Sequence, residues 1–375
     1  MLNACLLSFF ASLDPNIGLK QNNIDMKAGV IEGFFGQPWS WESRLSGADF
    51  LRDCGYQFYI YAPKSESFLR RRWRELVPPQ TLQRLSELSA QCRQSGLAFG
   101  IGLTPFEIYR NYDAGAQASL RSKVSQTNQI GVDVLCILFD DMRGDVEGLA
   151  ETQARVISDI CNCSSAKSFI VCPTYYSHDQ RLAREFGSPP KAYLRDLGRF
   201  VDPRIDFFWT GEKIISNGYS ALHLAEVASD IGRKPFIWDN SIANDSRTRT
   251  NFLFLDPSAG AWKLPADHIA GIAINPMNQP HLSRIALRGF QDILTKRSGK
   301  DSLASICREL CGPLIAEHLL ADLDLLQSKG LAELNAETRR RLLNWYERQQ
   351  SNPFAAEVAA WLRGEYVFDP QCLTT

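Results

Sequence analysis

An excess of charge of either sign is missing from this chain: 41 Lys and Arg against 42 Asp and Glu leave a net charge of −1 over 375 residues. Proteins that bind nucleic acid neutralise phosphates with a positive field, and without one no nucleic-acid partner is expected. No run reaches the roughly 18 apolar residues that cross a bilayer, so no membrane span is expected either. The apolar stretch from Leu2 to Leu13 has no Lys or Arg before it and no good small-residue cleavage site, which makes it a weak export signal. A cytoplasmic protein is the expectation, with export as the alternative if residues 1–25 act as that weak signal. Histidine is scarce, with five in all. There is no His-Glu-x-x-His and no glycine-rich phosphate loop, so the usual signatures of metalloproteases and nucleotide binding are absent.

Cysteine is present, ten in all, but mostly inside apolar runs such as Val134-Leu135-Cys136-Ile137-Leu138. Such residues read as small buried hydrophobes in a reducing compartment, not as a disulfide framework. Cys307, Cys311 and His318 read as core-facing helix positions, and neither a metal nor a cofactor is expected. The clusters Arg70, Arg71, Arg72, Arg74 and Arg339, Arg340, Arg341 stand among Glu and apolar residues, the pattern of a solvated helix face. Chemistry is left to carboxylates and aromatics.

What is there is a 45% hydrophobic, 22% charged globular chain in which short apolar runs alternate with helical periodicity. Eight runs read as strands: Ala28 to Glu32, Gln57 to Tyr61, Ala98 to Leu103, Asp133 to Phe139, Ser168 to Cys172, Ile205 to Trp209, Pro235 to Trp238 and Ile269 to Ile274. Segments such as Thr81 to Ser95 and Ala221 to Ile231 between them carry a buried helix stripe. The fold class is therefore α/β, a (β/α)8 TIM barrel followed by a small all-helical C-terminal domain. The expected division is an N-terminal extension over 1–26, a catalytic barrel over 27–291 and a helical domain over 292–375. The last would contain helices Ser302 to Leu310, Leu314 to Gln327, Ala336 to Gln349 and Pro353 to Tyr366. Its apolar stripes fit packing on the barrel or a homo-oligomer contact equally well.

Barrels of this kind carry their chemistry on the loops after the strands. Here the exits hold Gly33, Lys64, the pair Asp140-Asp141, Tyr176, Asn240 and Asn275. Neighbours on a strand point to opposite faces, so both acids face one pocket only if the backbone leaves β geometry at that exit. Two close carboxylates raise one pKa, which suits a general acid. The alternative is that one Asp caps the next helix while its neighbour pairs with Arg143. Trp238, Tyr176, Asn240, Asp245 and Asn275 add the flat apolar surfaces and hydrogen-bonding groups that a sugar site needs.

The segments Gly29-Val30-Ile31-Glu32-Gly33-Phe34-Phe35-Gly36-Gln37-Pro38-Trp39, Tyr61-Ala62-Pro63-Lys64, Leu138-Phe139-Asp140-Asp141, Phe208-Trp209-Thr210-Gly211, Ile237-Trp238-Asp239-Asn240 with Asn244-Asp245, and Asn275-Pro276-Met277 together resemble glycoside hydrolase family 84. This is the family of protein O-GlcNAcases and bacterial β-N-acetylglucosaminidases, and the likeness runs in order from Gly29 to Leu287. The resemblance implies a retaining exo-β-N-acetylglucosaminidase that works by substrate-assisted catalysis through an oxazoline. It implies Asp140 as the group that polarises the acetamido N–H and Asp141 as general acid and base. It implies the Gly33 carbonyl, Lys64, Asp245 and Asn275 on sugar hydroxyls, Asn240 near the acetamido group, and Tyr176 and Trp238 as walls. The partner would be a GlcNAc-bearing glycoside, glycan or glycoprotein. Phe35, Ser65-Glu66 and Glu212 depart from the family pattern, the second bearing with the loop from His178 to Pro190 on the leaving-group side. A non-catalytic GlcNAc- or glycopeptide-binding barrel is the alternative, and a divalent metal on Asp140 and Asp141 a third reading.

Overall fold

In the computed structural model, which describes residues 26–259, 263–295 and 302–374, the eight apolar runs close into one parallel barrel in the order β1 to β8. The strands are β1 (Lys27–Glu32), β2 (Phe58–Tyr61), β3 (Ala98–Leu103), β4 (Val134–Leu138), β5 (Ser168–Cys172), β6 (Asp206–Trp209), β7 (Phe236–Asp239) and β8 (Gly271–Ile274). β1 closes the ring by pairing Gly29 with Phe58 of β2 on one side and with Ala273 of β8 on the other. The expected extension lies outside the described residues, except for Met26.

Helices α1 (Trp41–Asp53), α2 (Pro79–Gln94), α3 (Ala114–Ile130) and α4 (Leu149–Cys163) follow the first four strands, and α5 (Gln180–Phe186) and α6 (Tyr193–Phe200) both follow β5. α7 (Ala221–Ile231) follows β6 and α8 (Pro280–Leu294) follows β8. Short polar side chains start α1, α3, α5 and α7: the Asp113 carboxylate, for example, accepts the Ala116 N–H at 2.8 Å, one of the donors a helix start leaves unpaired. α3 ends on Gly131 at φ +75°, where the left-handed backbone suits glycine.

Among the described residues the link from β7 to β8 holds only 3₁₀ turns and no α-helix. The helical part covers that place. α9 (Leu303–Cys311), α10 (Pro313–Ala321), α11 (Ala336–Glu347) and α12 (Pro353–Arg363) share a second core with Leu253 and Leu255 of the link and Leu282 and Ile285 of α8. Cys307 and Cys311 are buried in that core, and His318 stacks on Trp345 at 3.4 Å between ring centroids. The helix expected over Leu314 to Gln327 is interrupted after Ala321 and resumes as a π-helical turn over Asp324–Lys329. The wider turn aims Gln327 at the link, where its Oε1 accepts the Leu255 and Asp256 N–H groups at 2.8 Å each.

One charged brace ties the first loop to the barrel. Glu32 is fully buried at the end of β1, where Arg44 of α1 grips it through Nε at 2.8 Å and Nη2 at 2.7 Å. The Tyr59 hydroxyl also donates to it. Removing one member of such a pair strands the other charge in the interior. Arg44→Met is expected to lose about 3–5 kcal/mol of stability, read as a lowered urea midpoint of tryptophan fluorescence. A loss below about 1 kcal/mol would mean that the pair is not the brace described.

Candidate active site

Both acids turn into one cavity because the backbone leaves strand geometry where β4 ends. Asp141 has φ +56°, a left-handed conformation that side-chain-bearing residues adopt at a cost of about 1–3 kcal/mol. The exit is fixed from β5: Phe139 N–H donates to the Cys172 carbonyl at 2.9 Å, and the Thr174 hydroxyl donates to the Phe139 carbonyl at 2.9 Å. Neither acid caps a helix, since Gly148 precedes α4, and Arg143 pairs with Asp145 instead. The capping alternative is thus excluded.

Asp140 and Asp141 are 5% and 7% exposed. Lys64, from the exit of β2, forms a direct ion pair with Asp140 Oδ2, while Asp140 Oδ1 is buried with no hydrogen-bond partner. The Tyr176 hydroxyl donates to Asp141 Oδ1 at 3.1 Å. Burial, and then the Asp140 charge, push the Asp141 carboxyl above the usual aspartate value, against the opposing pull of Lys64, Arg70 and the Tyr176 hydrogen bond. Burial works against the Lys64 ammonium, but Asp140 and then Asp141 outweigh it and raise its pKa. Between β2 and β4, Gly102 of β3 leaves room for Ala62 and Leu138, since a Cβ there would meet them at 2.5 and 2.8 Å.

The other wall is a chain of amides. Gly33 N–H donates to Asn275 Oδ1 at 3.1 Å, Asn275 Nδ2 donates to Asn240 Oδ1 at 3.0 Å, and Trp238 Nε1 donates to the same Asn240 oxygen at 2.9 Å. Gly33 must lack a side chain, because a Cβ would lie 2.3 Å from the Trp238 ring. Asp245 accepts the Phe35 N–H at 2.8 Å, and burial raises its carboxyl pKa against that bond. Asn278 holds the same loop through the Phe35 and Gln37 carbonyls at 2.8 and 2.9 Å.

All nine residues singled out from the sequence, Gly33, Lys64, Asp140, Asp141, Tyr176, Trp238, Asn240, Asp245 and Asn275, line this single cavity. Several others line it that sequence reasoning missed, among them Cys172, Ile214, Cys372 and Thr374. Arg70 is a correction. It does not lie on a solvated helix face but is 3% exposed, on a chain that leaves its 3₁₀ turn at Leu69. Its guanidinium packs over the Phe35 and Phe106 rings at 5.4 and 5.1 Å, with Nε unpartnered and the charges of Asp141 and Asp140 acting on it. Arg71, Arg72 and Arg74 are exposed as expected, but they lie on turns past that 3₁₀ element and not on a helix face. Glu66 is engaged in starting that turn, accepting the Phe68 N–H at 3.2 Å, and His178 packs edge-on against Trp209 and His223. Among the described residues no three His, Cys, Asp or Glu side chains are grouped to hold a metal ion.

Residues 28–318 match the family model for beta-N-acetylglucosaminidase. The protein O-GlcNAcases of Mus musculus and Rattus norvegicus are each 29% identical over 257 residues, which is 66% of this chain and 28% of theirs. The chain therefore spans little more than a quarter of the length of these curated relatives, at 28%. Among solved structures, a mutant of the Thermobaculum terrenum O-GlcNAc hydrolase superposes with a TM-score of 0.69 at 27% identity, covering 90% of this chain and 74% of that one.

The charges around Asp141 make a prediction that needs no substrate. In a ¹³C NMR titration of the side-chain carboxyls, Asp141 should titrate above the ordinary value of about 3.9. Asp140→Asn should move its midpoint down and Arg70→Met should move it up. A midpoint at or below the ordinary value in the unaltered protein would contradict this electrostatic picture.

Proposed function

This chain belongs to the β-N-acetylglucosaminidase family, glycoside hydrolase family 84, and from that premise we propose that it hydrolyses terminal β-linked GlcNAc as a retaining exo-enzyme whose nucleophile is the substrate's own acetamido oxygen. The observation that carries this reading is the division of labour between the two acids. Asp140 is charge-paired through one oxygen and has the other free for a donor, while Asp141 is buried, raised in pKa and hydrogen-bonded by Tyr176.

In the first step the acetamido carbonyl oxygen attacks the anomeric carbon, and the bond from that carbon to the leaving oxygen breaks. Asp141 gives its proton to the leaving oxygen. The amide N–H gains positive character as the oxazoline ring forms and keeps its proton, donating a hydrogen bond to the ionised Asp140 Oδ1. Water then attacks the anomeric carbon and passes a proton back to the Asp141 carboxylate, the ring opens, and the sugar leaves with its configuration retained. This is an exception to the scheme in which a second carboxylate is the nucleophile. A raised pKa keeps Asp141 protonated for the first step, and Asp140 supports that state through its charge. Lys64, Asp245, Asn275 and the Gly33 carbonyl take the sugar hydroxyls. Trp238 and Tyr176 wall the acetamido pocket, and Asn240 holds the Trp238 ring in place through its acceptor oxygen.

The substrate is a GlcNAc-bearing glycoside, glycan or glycoprotein. Steady-state hydrolysis of a fluorogenic aryl β-GlcNAc tests the reading, with the matching β-glucoside as control. GlcNAc-specific turnover is expected, with no turnover of the glucoside, which lacks the nucleophile. Asp141→Asn should lower kcat/KM by about 10²–10⁴ for a substrate with a poor leaving group, and by less for an activated aryl one. Asp140→Asn should cost about 10²–10³ whatever the leaving group. Equal turnover of glucoside and GlcNAc substrates would overturn the assignment. Sugar binding by folded protein without turnover would favour a non-catalytic binding barrel.

A further inference from the structure

The chain itself runs across the mouth of the cavity. Beyond α12, residues 366–374 return over the strand exits, with the Val367 carbonyl beside Gly36 and Phe368 under the Arg247 guanidinium at 4.9 Å. Gln371 Oε1 accepts from Arg71 Nε at 2.8 Å and Arg70 Nη1 at 3.4 Å, and the Thr374 carbonyl accepts from Arg181 Nη1 at 3.4 Å. Between these anchors Cys372 and Thr374, 6% and 8% exposed, enter the cavity. There they share the cavity lining with Tyr176, Asp245, Asp141 and Lys64. They meet the same groups to which the proposed mechanism assigns the sugar and the proton.

The space that remains is about 60 Å³. Sites for small organic ligands are typically about 300–1,000 Å³, so an acetamido sugar does not fit beside this segment. The segment is weakly held. Gln371, which carries the arginine anchors, is exposed, Val367 and Leu373 are 70% and 49% exposed, and the segment's own backbone bonds are local, such as Cys372 N–H to the Asp369 carbonyl at 3.0 Å.

We propose that residues 366–374 form an autoinhibitory strap that occupies the sugar pocket and its leaving-group side and leaves when substrate enters. The inference rests on the functional reading above for the identity of what displaces the strap. The strap competes with substrate, so it acts on KM and not on kcat: apparent affinity falls by the fraction of molecules in which it is open.

The experiment compares the full chain with Gln371→Ala, which loosens an anchor, and with a variant lacking residues 369–375, each checked for folding by circular dichroism. KM for the aryl β-GlcNAc and the dissociation constant of free GlcNAc by calorimetry should fall at least tenfold in the deletion and several-fold in Gln371→Ala, with kcat unchanged. In the full chain, saturating GlcNAc should speed the alkylation of Cys372, mapped by mass spectrometry, at least fivefold. A fluorescent peptide of residues 369–374 should bind the deletion variant and be displaced by GlcNAc. Unchanged KM and sugar affinity in both variants, or a peptide that does not bind, would overturn the strap. Absence of both turnover and sugar binding from every form would overturn the hydrolase reading instead, and peptide binding to the deletion variant would still decide the strap.

Discussion

Placing Asp140 and Asp141 side by side where each is less than a tenth exposed requires positive charge within reach, and Lys64 supplies it by pairing directly with Asp140. Buried charges are costly unless paired and hydrogen-bonded, so this contact determines how both acids behave. It leaves Asp140 with one oxygen free, and it leaves Asp141 as the acid on which burial and repulsion act together. Arg70 contributes a second positive charge without forming an ion pair, held instead between two phenylalanine rings. The positions of these charges depend on features with no charge of their own. Gly102 leaves room for Ala62 and Leu138 between β2 and β4, and the left-handed backbone at Asp141 turns the second acid inward.

Much of this was legible in the sequence because barrels separate their tasks by position. The interior strands are nearly continuous apolar runs, so all eight were found within two residues of their ends. Polar residues just past those runs fall on one face by the geometry of the fold. That both acids could face one pocket only if the backbone left strand geometry at this exit followed from side-chain alternation alone.

What was not legible has physical reasons. Arg70 stands in a run of exposed arginines, and nothing local distinguishes the one that turns inward. Its burial depends on Phe35 and Phe106, brought beside it by other loops. The Glu32–Arg44 brace has the same character, since a carboxylate at the end of an apolar strand reads as an exit residue until its partner is known. The β7 to β8 link without an α-helix, and the π-helical turn that serves it, arise from packing between segments far apart in the chain. The entry of Cys372 and Thr374 into the cavity is likewise tertiary, because the segment has no periodicity of its own.

The helical part therefore fills the gap left by the missing helix and carries the chain back to the strand exits. At the centre is the claim that the cavity activates a nucleophile belonging to the substrate, with Asp140 placed to sharpen it. The measurement that tests this most directly is kcat/KM for aryl β-glycosides whose N-acetyl group carries zero, one, two or three fluorines. Each fluorine weakens the carbonyl oxygen as a nucleophile, so the logarithm of kcat/KM should fall steadily across the series, and less steeply in Asp140→Asn. A flat series in the unaltered protein would contradict the claim and assign the nucleophile to the protein or to water.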